Sequence, residues 1–210
     1  MKQGVFITFE GNDGAGKTTV CQEIYKQLQE QGYDVIYTRE PGGSKIAEDI
    51  RGVLLDVENT KMDGRTEALL YAASRRQHLV EVVLPALEKK QIVLCDRFVD
   101  SSLAYQGVAR GIGMDEVWSI NQFAIDGCMP QKTLFFSVSM ETGQKRMTLR
   151  GDKNRLDLEH DAFHQNVRKG YELLIEQNPD RIAVIDAEPE LEVVVKNAMK
   201  VIHEVLVQYE

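Results

Sequence analysis

The sequence has too few cysteines, basic residues and long apolar stretches for several classes of protein. Its three cysteines, Cys21, Cys95 and Cys128, are odd in number and widely spaced, which indicates neither a disulfide framework nor a zinc site. No apolar stretch approaches the length of a membrane-spanning helix. Lys and Arg total 25 against 33 Asp and Glu, and the net charge of −8 disfavours binding nucleic acid through its phosphates. We therefore expect a cytoplasmic protein that binds neither membranes nor nucleic acids.

The chain has the size and composition of one soluble domain. With 210 residues it can bury one sizeable core but is short for two. Its 43% hydrophobic and 28% charged residues are close to the averages of globular proteins. No internal repeat, low-complexity tract or linker rich in Pro, Gly or Ser interrupts the sequence. We expect a single domain over residues 1–210.

Short apolar runs alternate along the chain with longer segments of helical periodicity. The runs that read as buried strands are 5–9, 35–38, 92–95, 133–138 and 182–185. The helical segments are 18–31, 46–55, 66–89, 116–125, 141–149, 162–176 and 191–209. Strands that alternate with helices indicate a parallel sheet covered on both faces. The sequence therefore predicts an α/β fold with five parallel strands flanked by helices on both faces.

A glycine-rich loop follows the first predicted strand and leads into the first predicted helix. Residues 11–18 read GNDGAGKT and match the phosphate-binding pattern GxxxxGK[ST]. In such a loop backbone NH groups surround phosphate oxygens, Lys17 reaches the transferring phosphate, and the Thr18 hydroxyl can ligate magnesium. A glycine-rich turn with a solvated lysine is the weaker alternative, because the strand and the helix are both present. The residues expected to bind the nucleotide are Gly11, Asn12, Asp13, Gly14, Ala15, Gly16, Lys17, Thr18 and Thr19.

The surroundings of the loop narrow the class of P-loop protein. The NKxD motif that recognises guanine is absent. Asp96, at the end of the strand at 92–95, can organise magnesium, although an aspartate there can also cap a helix. It is followed by Arg97, where motor-type ATPases carry a Glu that activates water, and an arginine suits a second, phosphorylated substrate. These features favour a small-molecule kinase over a GTPase or a hydrolytic ATPase.

Three further strings resemble one family. The chain reads FEG at 9–11, TREPGG at 38–43 and DRFVDSSLAYQG at 96–107. Together with the glycine-rich loop, and over essentially the whole chain, they resemble the bacterial thymidylate kinases, which are P-loop nucleoside monophosphate kinases. The resemblance implies transfer of the γ-phosphoryl group of ATP to dTMP, giving dTDP and ADP in dTTP biosynthesis, with Mg²⁺ as cofactor. It also implies a homodimer, to which the segment 66–89 contributes apolar residues on several sides.

The resemblance implies roles for individual residues. Lys17 and Thr18 would serve ATP and Mg²⁺, and Thr18 and Asp96 would hold the metal. Those implied to bind dTMP are Glu40, Pro41, Arg51, Tyr71, Arg75, Arg97, Ser102, Tyr105 and Gln106. Among them, Arg51 and Arg97 would clamp the phosphate of dTMP. Arg75 and Gln106 would hydrogen-bond the thymine, and Tyr71 would stack on it. Tyr105 and Ser102 would form the floor beneath the deoxyribose. Glu40 and Asp96 would arrange the metal and the sugar or phosphate side of dTMP.

A polar segment at about 146–157 resembles the lid of the family. Its basic residues are Arg146, Arg150, Lys153 and Arg155, whereas the glycine-rich loop has no arginine, which resembles the bacterial arrangement. The residues implied to be catalytic are Lys17, Asp96, Arg97, Arg146, Arg150 and Arg155. Positive charge from the lid would stabilise the migrating phosphoryl group, although a solvated, ion-paired helix face also explains these arginines.

Spacing alone agrees with two of the implied pairs. Tyr71 and Arg75 are four residues apart in the segment 66–89, so they share a helix face. Ser102 and Gln106 have the same spacing just beyond the end of a predicted strand, where ligands of parallel sheets bind. By spacing alone, a solvated arginine beside a half-buried tyrosine explains the first pair better, and the resemblance reverses this preference.

Two other functions remain open at this point. A kinase of the same fold can act on a nucleoside, a different nucleotide or a sugar acid. A non-enzymatic nucleotide-dependent switch can also keep a phosphate-binding loop. Arg51 and Arg97 favour a phosphorylated acceptor, and the retention of Lys17 and Asp96 argues against a switch.

Overall fold

The predicted parallel sheet is confirmed. The computed structural model describes residues 3–150 and 154–209, the side chains of residues 149 and 150 excepted. The strands are β1 (Val5–Glu10), β2 (Val35–Arg39), β3 (Ile92–Asp96), β4 (Lys132–Ser137) and β5 (Ile182–Asp186). All pair in parallel in the order β2-β3-β1-β4-β5, so β1 lies at the centre.

The predicted helical segments all correspond to helices. These are α1 (Lys17–Glu30), α2 (Lys45–Leu55), α3 (Gly64–His78), α4 (Leu84–Glu88), α5 (Val99–Ser102), α6 (Met114–Ile125), α7 (Met140–Arg150), α8 (Asp161–Gln177) and α9 (Leu191–Tyr209). A short 3₁₀ helix, Arg155–Leu158, precedes α8. Within the described ranges, none of the helices combines the length and the apolar character needed to cross a membrane.

The sheet carries helices on both faces, as its uninterrupted apolar strands require. All six residues of β1 are buried. Val5, Ile7 and Phe9 pack on one face in a core that includes the apolar sides of α1 and α9. Phe6 points to the other face and packs in a second cluster with Leu79, which follows α3. Alternate residues of a strand point to opposite faces, so a strand buried on both sides shows no polar alternation.

The segment 66–89, predicted as one helix, is divided by a wider turn. Residues Leu79–Val83 form a π-helical turn between α3 and α4, in which the NH of Leu84 donates to the carbonyl of Leu79. Pro85 stands at the start of α4. A proline has no backbone NH for a helical bond, and a local change of hydrogen-bond pattern accommodates it.

A second π-helical segment, Leu103–Ala109, continues α5. The spacing of four between Ser102 and Gln106 is that of an α-helix, but the hydrogen bonds of this segment are those of a π-helix. Both residues are nevertheless buried at the same cavity. π-helical turns are rare and often occur at functional sites.

The carboxyl ends of the strands bring the candidate residues to one edge of the sheet. Gly11 follows β1, Glu40 follows β2, Arg97 follows β3 and Ala187 follows β5. The chain leaves β1 for β2 on one side of the sheet and later reaches β4 on the other, so the strand order reverses here. Ligands of open α/β sheets bind in the crevice that this reversal leaves.

Candidate active site

A cavity of about 690 Å³ lies at this edge of the sheet. The glycine-rich loop and the start of α1 form one side, and α3 with the segment after α5 forms the other. The predicted residues that line it are Asp13, Gly14, Ala15, Gly16, Lys17, Thr18, Thr19, Glu40, Pro41, Arg51, Tyr71, Arg75, Asp96, Arg97, Ser102, Tyr105, Gln106 and Arg146. The structure therefore brings residues predicted for two different ligands into one continuous space.

The glycine-rich loop folds around the Lys17 side chain. Its ammonium donates to the carbonyls of Gly11 (2.9 Å) and Asn12 (2.8 Å), and these two residues are not among those that line the cavity. Gly14 and Gly16 have φ values of 80° and 83°, a backbone region that side chains with a Cβ rarely adopt. Gly16 immediately precedes α1, so the loop ends at a helix N-terminus, which favours anions.

Lys17 is buried, and its ammonium loses a proton more readily than that of an exposed lysine. Only 6% of the residue is exposed. Burial, followed by the charge of Arg97, lowers the pKa of the Lys17 ammonium to about 8, while Asp13 and Asp96 act in the opposite direction. An anion in the loop would add negative charge beside the ammonium and favour its protonated form.

Thr18 and Asp96 form a hydroxyl–carboxylate pair at the cavity. The Thr18 hydroxyl donates to Oδ2 of Asp96, which ends β3 beside Phe9 of β1. Among the described residues, no group of three or more His, Cys, Asp or Glu side chains is suitable for a metal ion. A pair of oxygen ligands nevertheless suits Mg²⁺, which usually binds proteins through one or two side chains and completes its shell with water and phosphate.

Arg97 lies where the two sides of the cavity meet. Its Nη2 donates to Oδ1 of Asp13 at 2.5 Å, and its Nη1 donates to Oγ of Ser101 at 3.0 Å. The guanidinium carbon also lies over the ring of Tyr105, 5.3 Å from its centre, and the hydroxyl of Tyr105 donates to Oδ2 of Asp13 at 2.8 Å. Burial alone would raise the pKa of the Asp13 carboxyl, but Arg97 and Lys17 hold that pKa well below its usual range.

Arg75 is held on three sides inside the protein. Its Nε donates to Oε2 of Glu40 at 2.7 Å, and its Nη1 donates to Oγ of Ser102 at 3.0 Å and to Oδ1 of Asn121. Only 2% of Arg75 is exposed, and its guanidinium lies 5.1 Å from the ring centre of Phe98. The alternative of a solvated arginine is thus wrong. These bonds involve Nε and Nη1, so Nη2 is the nitrogen available to a ligand.

Glu40 has different partners from those that the resemblance implies. One oxygen accepts from Arg75, and the other accepts from Nδ1 of the fully buried His78 at 2.9 Å. The carboxylate lines the cavity but is occupied on both oxygens by protein donors. In this structure Glu40 therefore orients Arg75, and its implied role toward the metal and the sugar or phosphate side of the acceptor stays a prediction.

Two arginines meet at Pro41 on one side of the cavity. Its carbonyl accepts from Nη1 of Arg51 at 2.7 Å and from Nη1 of Arg39 at 3.2 Å. Burial and the charge of Arg39 lower the pKa of Arg51, as expected for cations that crowd a site for an anion. Tyr71, on α3, lines the same cavity and is 9% exposed.

The arginines of the segment 146–157 do not share one environment. Arg146 lines the cavity and donates to the carbonyl of Ala187 at 3.1 Å. Arg155, predicted to act on the phosphoryl group, is instead only 8% exposed and pairs with Glu67 at 2.5 Å. Its second bond goes to the carbonyl of the fully buried Leu54 at 3.0 Å. The side chain of Arg150 and all of Lys153 lie outside the described residues.

Sequence reasoning missed two parts of the site. Glu67, one helical turn before Tyr71, is fully buried and binds Gln106. Its spacing from Tyr71 and Arg75 was a usable signal, because residues four apart share a helix face. The segment 187–191 after β5 also lines the cavity, and its place at the end of a parallel strand could have indicated it.

The fold and the site define a class of protein. A glycine-rich loop between a parallel strand and a helix N-terminus is how P-loop proteins hold nucleotide phosphates. Past Arg97 the cavity continues into a pocket with buried hydrogen-bonding groups, as expected for a phosphotransferase with two substrates. The class is that of the P-loop kinases of small molecules.

Comparisons with known proteins specify the family. The family model described as thymidylate kinase matches residues 9–198. The chain is 58% identical over 205 residues to the thymidylate kinase of Bacillus pumilus, with 97% of each chain covered. It is 56% identical to that of Oceanobacillus iheyensis, with 99% of this chain and 93% of the relative covered. The crystal structure of thymidylate kinase from Ehrlichia chaffeensis is similar with a TM-score of 0.78 at 34% identity, covering 95% of this chain and 98% of the other. This chain belongs to the thymidylate kinase family.

Proposed function

We propose that this protein transfers the γ-phosphoryl group of ATP to dTMP, giving dTDP and ADP as a step of dTTP biosynthesis. The observation that carries the proposal is the continuity of the cavity from the phosphate-binding loop, past Arg97, to the pair Arg75 and Gln106. One end binds the phosphates of the donor, and the other offers buried hydrogen-bonding groups to a base. Family membership supports both substrates.

The donor side positions ATP and its metal. The loop and the N-terminus of α1 hold the phosphates, and Lys17 contacts the group in transfer. Thr18 and Asp96 would hold Mg²⁺, which shields the charge of the phosphates. The hydroxyl of Thr18 donates to the carboxylate of Asp96, and this bond keeps the two side chains together at the cavity that both line.

Arg97 and Arg51 would clamp the phosphate of dTMP from two sides. In-line transfer requires that two anionic groups approach each other, so cations at the junction lower the barrier. Arg146 reaches the cavity from the segment 146–157, which we propose to be a lid of the single domain 1–210. A lid that covers both substrates also excludes water, which would otherwise hydrolyse ATP. We propose Arg150 as a second cation that the lid brings to the phosphoryl group.

The acceptor pocket suits thymine by stacking and hydrogen bonding. Tyr71 offers an aromatic face, and Nη2 of Arg75 can donate to the 4-carbonyl. Gln106 supplies an amide next to them. Tyr105, whose hydroxyl is bound to Asp13, and Ser102 would form the floor under the deoxyribose.

A panel of acceptors tests the proposed substrate. Steady-state ADP formation is measured with dTMP, thymidine, UMP and gluconate, and without acceptor. We expect dTMP to give a kcat/KM at least about tenfold above any other acceptor. ADP formed at one rate whatever is added would contradict the proposal and favour a nucleotide switch. A preference for thymidine or gluconate would contradict the phosphorylated acceptor.

The pH dependence of ATP use follows from the state of Lys17. Because the pKa of its ammonium is lowered to about 8, the protonated form prevails below that pH and is lost above it. We expect kcat/KM for ATP, which reports the free enzyme, to fall as pH rises from 8 to 10. The variant Lys17→Arg stays charged in this range. The kcat/KM of this variant should be lower but should not fall between pH 8 and 10. A flat profile of the wild type over this range would contradict the proposed role of the Lys17 ammonium in binding ATP.

We propose a homodimer that uses α3 and α6. Leu69 and Val80 are 56% and 39% exposed, and Phe123 of α6 is 90% exposed. Leu69, Ala73, Arg76 and Val80 lie on one helical stripe, and Arg76 donates to the carbonyl of Ala124 beside Phe123. Light scattering should give about twice the chain mass of 23.8 kDa, and Phe123→Glu should shift it toward the monomer. A wild-type monomer at micromolar concentration would contradict this proposal.

We also propose a reducing compartment, the cytosol, for the protein. All three cysteines are free thiols. Burial raises the pKa of the Cys21 and Cys95 thiols well above their ordinary value. Neutral, buried thiols are inert packing groups, which suits a compartment without disulfide formation.

A further inference from the structure

We propose that Glu67 is a positioning residue for the choice of base, because it fixes the orientation of the side-chain amide of Gln106. The inference rests on the proposed function of the cavity. Glu67 lies on α3 and faces Gln106, and we assign it no contact with the phosphates.

Glu67 lies in the interior and is not exposed. Its Oε1 accepts from Nε2 of Gln106 at 2.8 Å and from Nε of Arg110 at 3.2 Å. Its Oε2 accepts from Nη2 of Arg110 at 3.0 Å and from Nη2 of Arg155 at 2.5 Å. Its partners come from the π-helical segment 103–109, from the residue just after it and from the 3₁₀ helix 155–158.

An ionised carboxylate can only accept hydrogen bonds. Gln106 must therefore turn its NH₂ group to Glu67, and its Oε1 becomes the atom available at the cavity that Gln106 lines. The two ends of a glutamine amide are similar in shape, so a partner that both donates and accepts would allow either orientation. Only an acceptor-only partner excludes the reversed amide.

The two arginines keep this carboxylate ionised and in place. Burial by itself raises the pKa of the Glu67 carboxyl, but hydrogen bonds from Arg110 and Gln106 and the charge of Arg110 outweigh burial, so the pKa lies below its ordinary value. Arg110 is anchored in turn by Glu159 at 2.6 Å and by the face of Phe163, 4.6 Å from its guanidinium carbon. Arg155 is fixed by the carbonyl of Leu54.

A fixed amide oxygen distinguishes bases by the atom at ring position 3. Thymine and uracil carry an NH there, which can donate to Oε1 of Gln106. Cytosine carries an unprotonated nitrogen, whose lone pair would face the lone pairs of Oε1. With the amide reversed, the preference would be the opposite. Glu67, Tyr71 and Arg75 follow one another at intervals of four on α3, so one helix face would orient the amide, stack on the base and bind its 4-carbonyl.

The test compares three nucleotides on wild type and Glu67→Gln. The neutral side chain keeps the shape of Glu67 but can donate as well as accept, so the amide of Gln106 is no longer confined to one orientation. We expect the ratio of kcat/KM for dTMP over dCMP to fall about tenfold, as for the loss of one oriented hydrogen bond. The ratio for dTMP over dUMP should stay within about twofold, since dUMP lacks only the methyl group. A general loss of structure would change both ratios alike.

Two further variants complete the experiment. Glu159→Gln is the matched control, because it removes an ion pair from the same Arg110 without touching Gln106, and it should leave both ratios unchanged. Glu67→Asp keeps the negative charge that pairs with the arginines, but its side chain is too short to hold the amide of Gln106. It should therefore also lower the dTMP/dCMP ratio, in a protein that is more stable than Glu67→Gln. An unchanged dTMP/dCMP ratio in either folded Glu67 variant overturns the inference, as does the failure of both variants to fold. A wild type that does not distinguish dTMP from dCMP contradicts the proposed function instead.

Discussion

Replacing Arg97 with alanine should lower kcat/KM for dTMP by about a thousandfold. The guanidinium lies at the junction of the two substrate sites, and a correctly placed arginine accounts for about three or more orders of magnitude in phosphoryl transfer. The thermal midpoint should also fall by a few degrees, since the partly buried carboxylate of Asp13 loses the cation paired with it. Steady-state kinetics and thermal melting measure the two effects.

Two control variants separate the chemistry of Arg97 from its charge and from general damage. Arg97→Lys keeps the positive charge and the same positive-φ backbone, where φ is 71°, but loses the planar fork that reaches two partners. We expect it to recover only part of the activity. Arg168→Ala removes an exposed ion pair with Glu172 and should leave kcat/KM unchanged. Near wild-type turnover in Arg97→Ala would show that another cation clamps the acceptor phosphate.

The enzyme should use dCMP about 30 to 1000 times less efficiently than dTMP, corresponding to about 2 to 4 kcal/mol. An arginine only donates hydrogen bonds, so Arg75 can pair with the 4-carbonyl of thymine but faces a second donor in the 4-amino group of cytosine. The guanidinium cannot move away to avoid this conflict. Glu40, Ser102 and Asn121 hold it by Nε and Nη1.

The methyl group of thymine should matter less than the 4-position. One methyl in an apolar pocket contributes about 1 kcal/mol, so dUMP should remain a poor but measurable substrate. Parallel measurements of kcat/KM with dTMP, dUMP and dCMP test both statements. Equal use of dCMP and dTMP would contradict the placement of Arg75 against the base, and with it the choice of acceptor.

The features of the site that depend on local sequence could be predicted. A buried strand that leads into a glycine-rich loop and a helix constrains its own backbone, so the place of Lys17 followed from residues 11–18. Parallel strands end at one edge of the sheet, which also brought Asp96 and Arg97 to the loop. The bounds of the strands were predicted to within one residue at every end, because apolar runs mark burial directly.

The pairing of buried charges could not be predicted. A buried charge needs a partner, but the sequence does not show which of many possible partners is near. Arg155 was expected at the phosphates and pairs with Glu67 instead, 88 residues earlier in the chain. Glu40 was expected to face the metal and the sugar or phosphate side of the acceptor, and its pairing with Arg75, 35 residues later, was not foreseen. Such contacts depend on how helices pack across the sheet, which no local pattern encodes.

The same limit applies to the helix geometry near the base. Ser102 and Gln106 fit an ordinary helical spacing, and nothing in their spacing indicates the π-helical hydrogen bonds of Leu103–Ala109. The exposed stripe on α3, in contrast, was foreseeable, because the segment 66–89 has apolar residues on more than one side.

The most direct test of the central claim is ³¹P NMR of the protein mixed with Mg²⁺, ATP and dTMP. The account predicts that the γ-phosphate signal of ATP disappears while the signals of dTDP and ADP grow in equal amounts, with inorganic phosphate remaining at background. ADP accompanied by inorganic phosphate and unchanged dTMP would contradict it, since the phosphoryl group would then have passed to water.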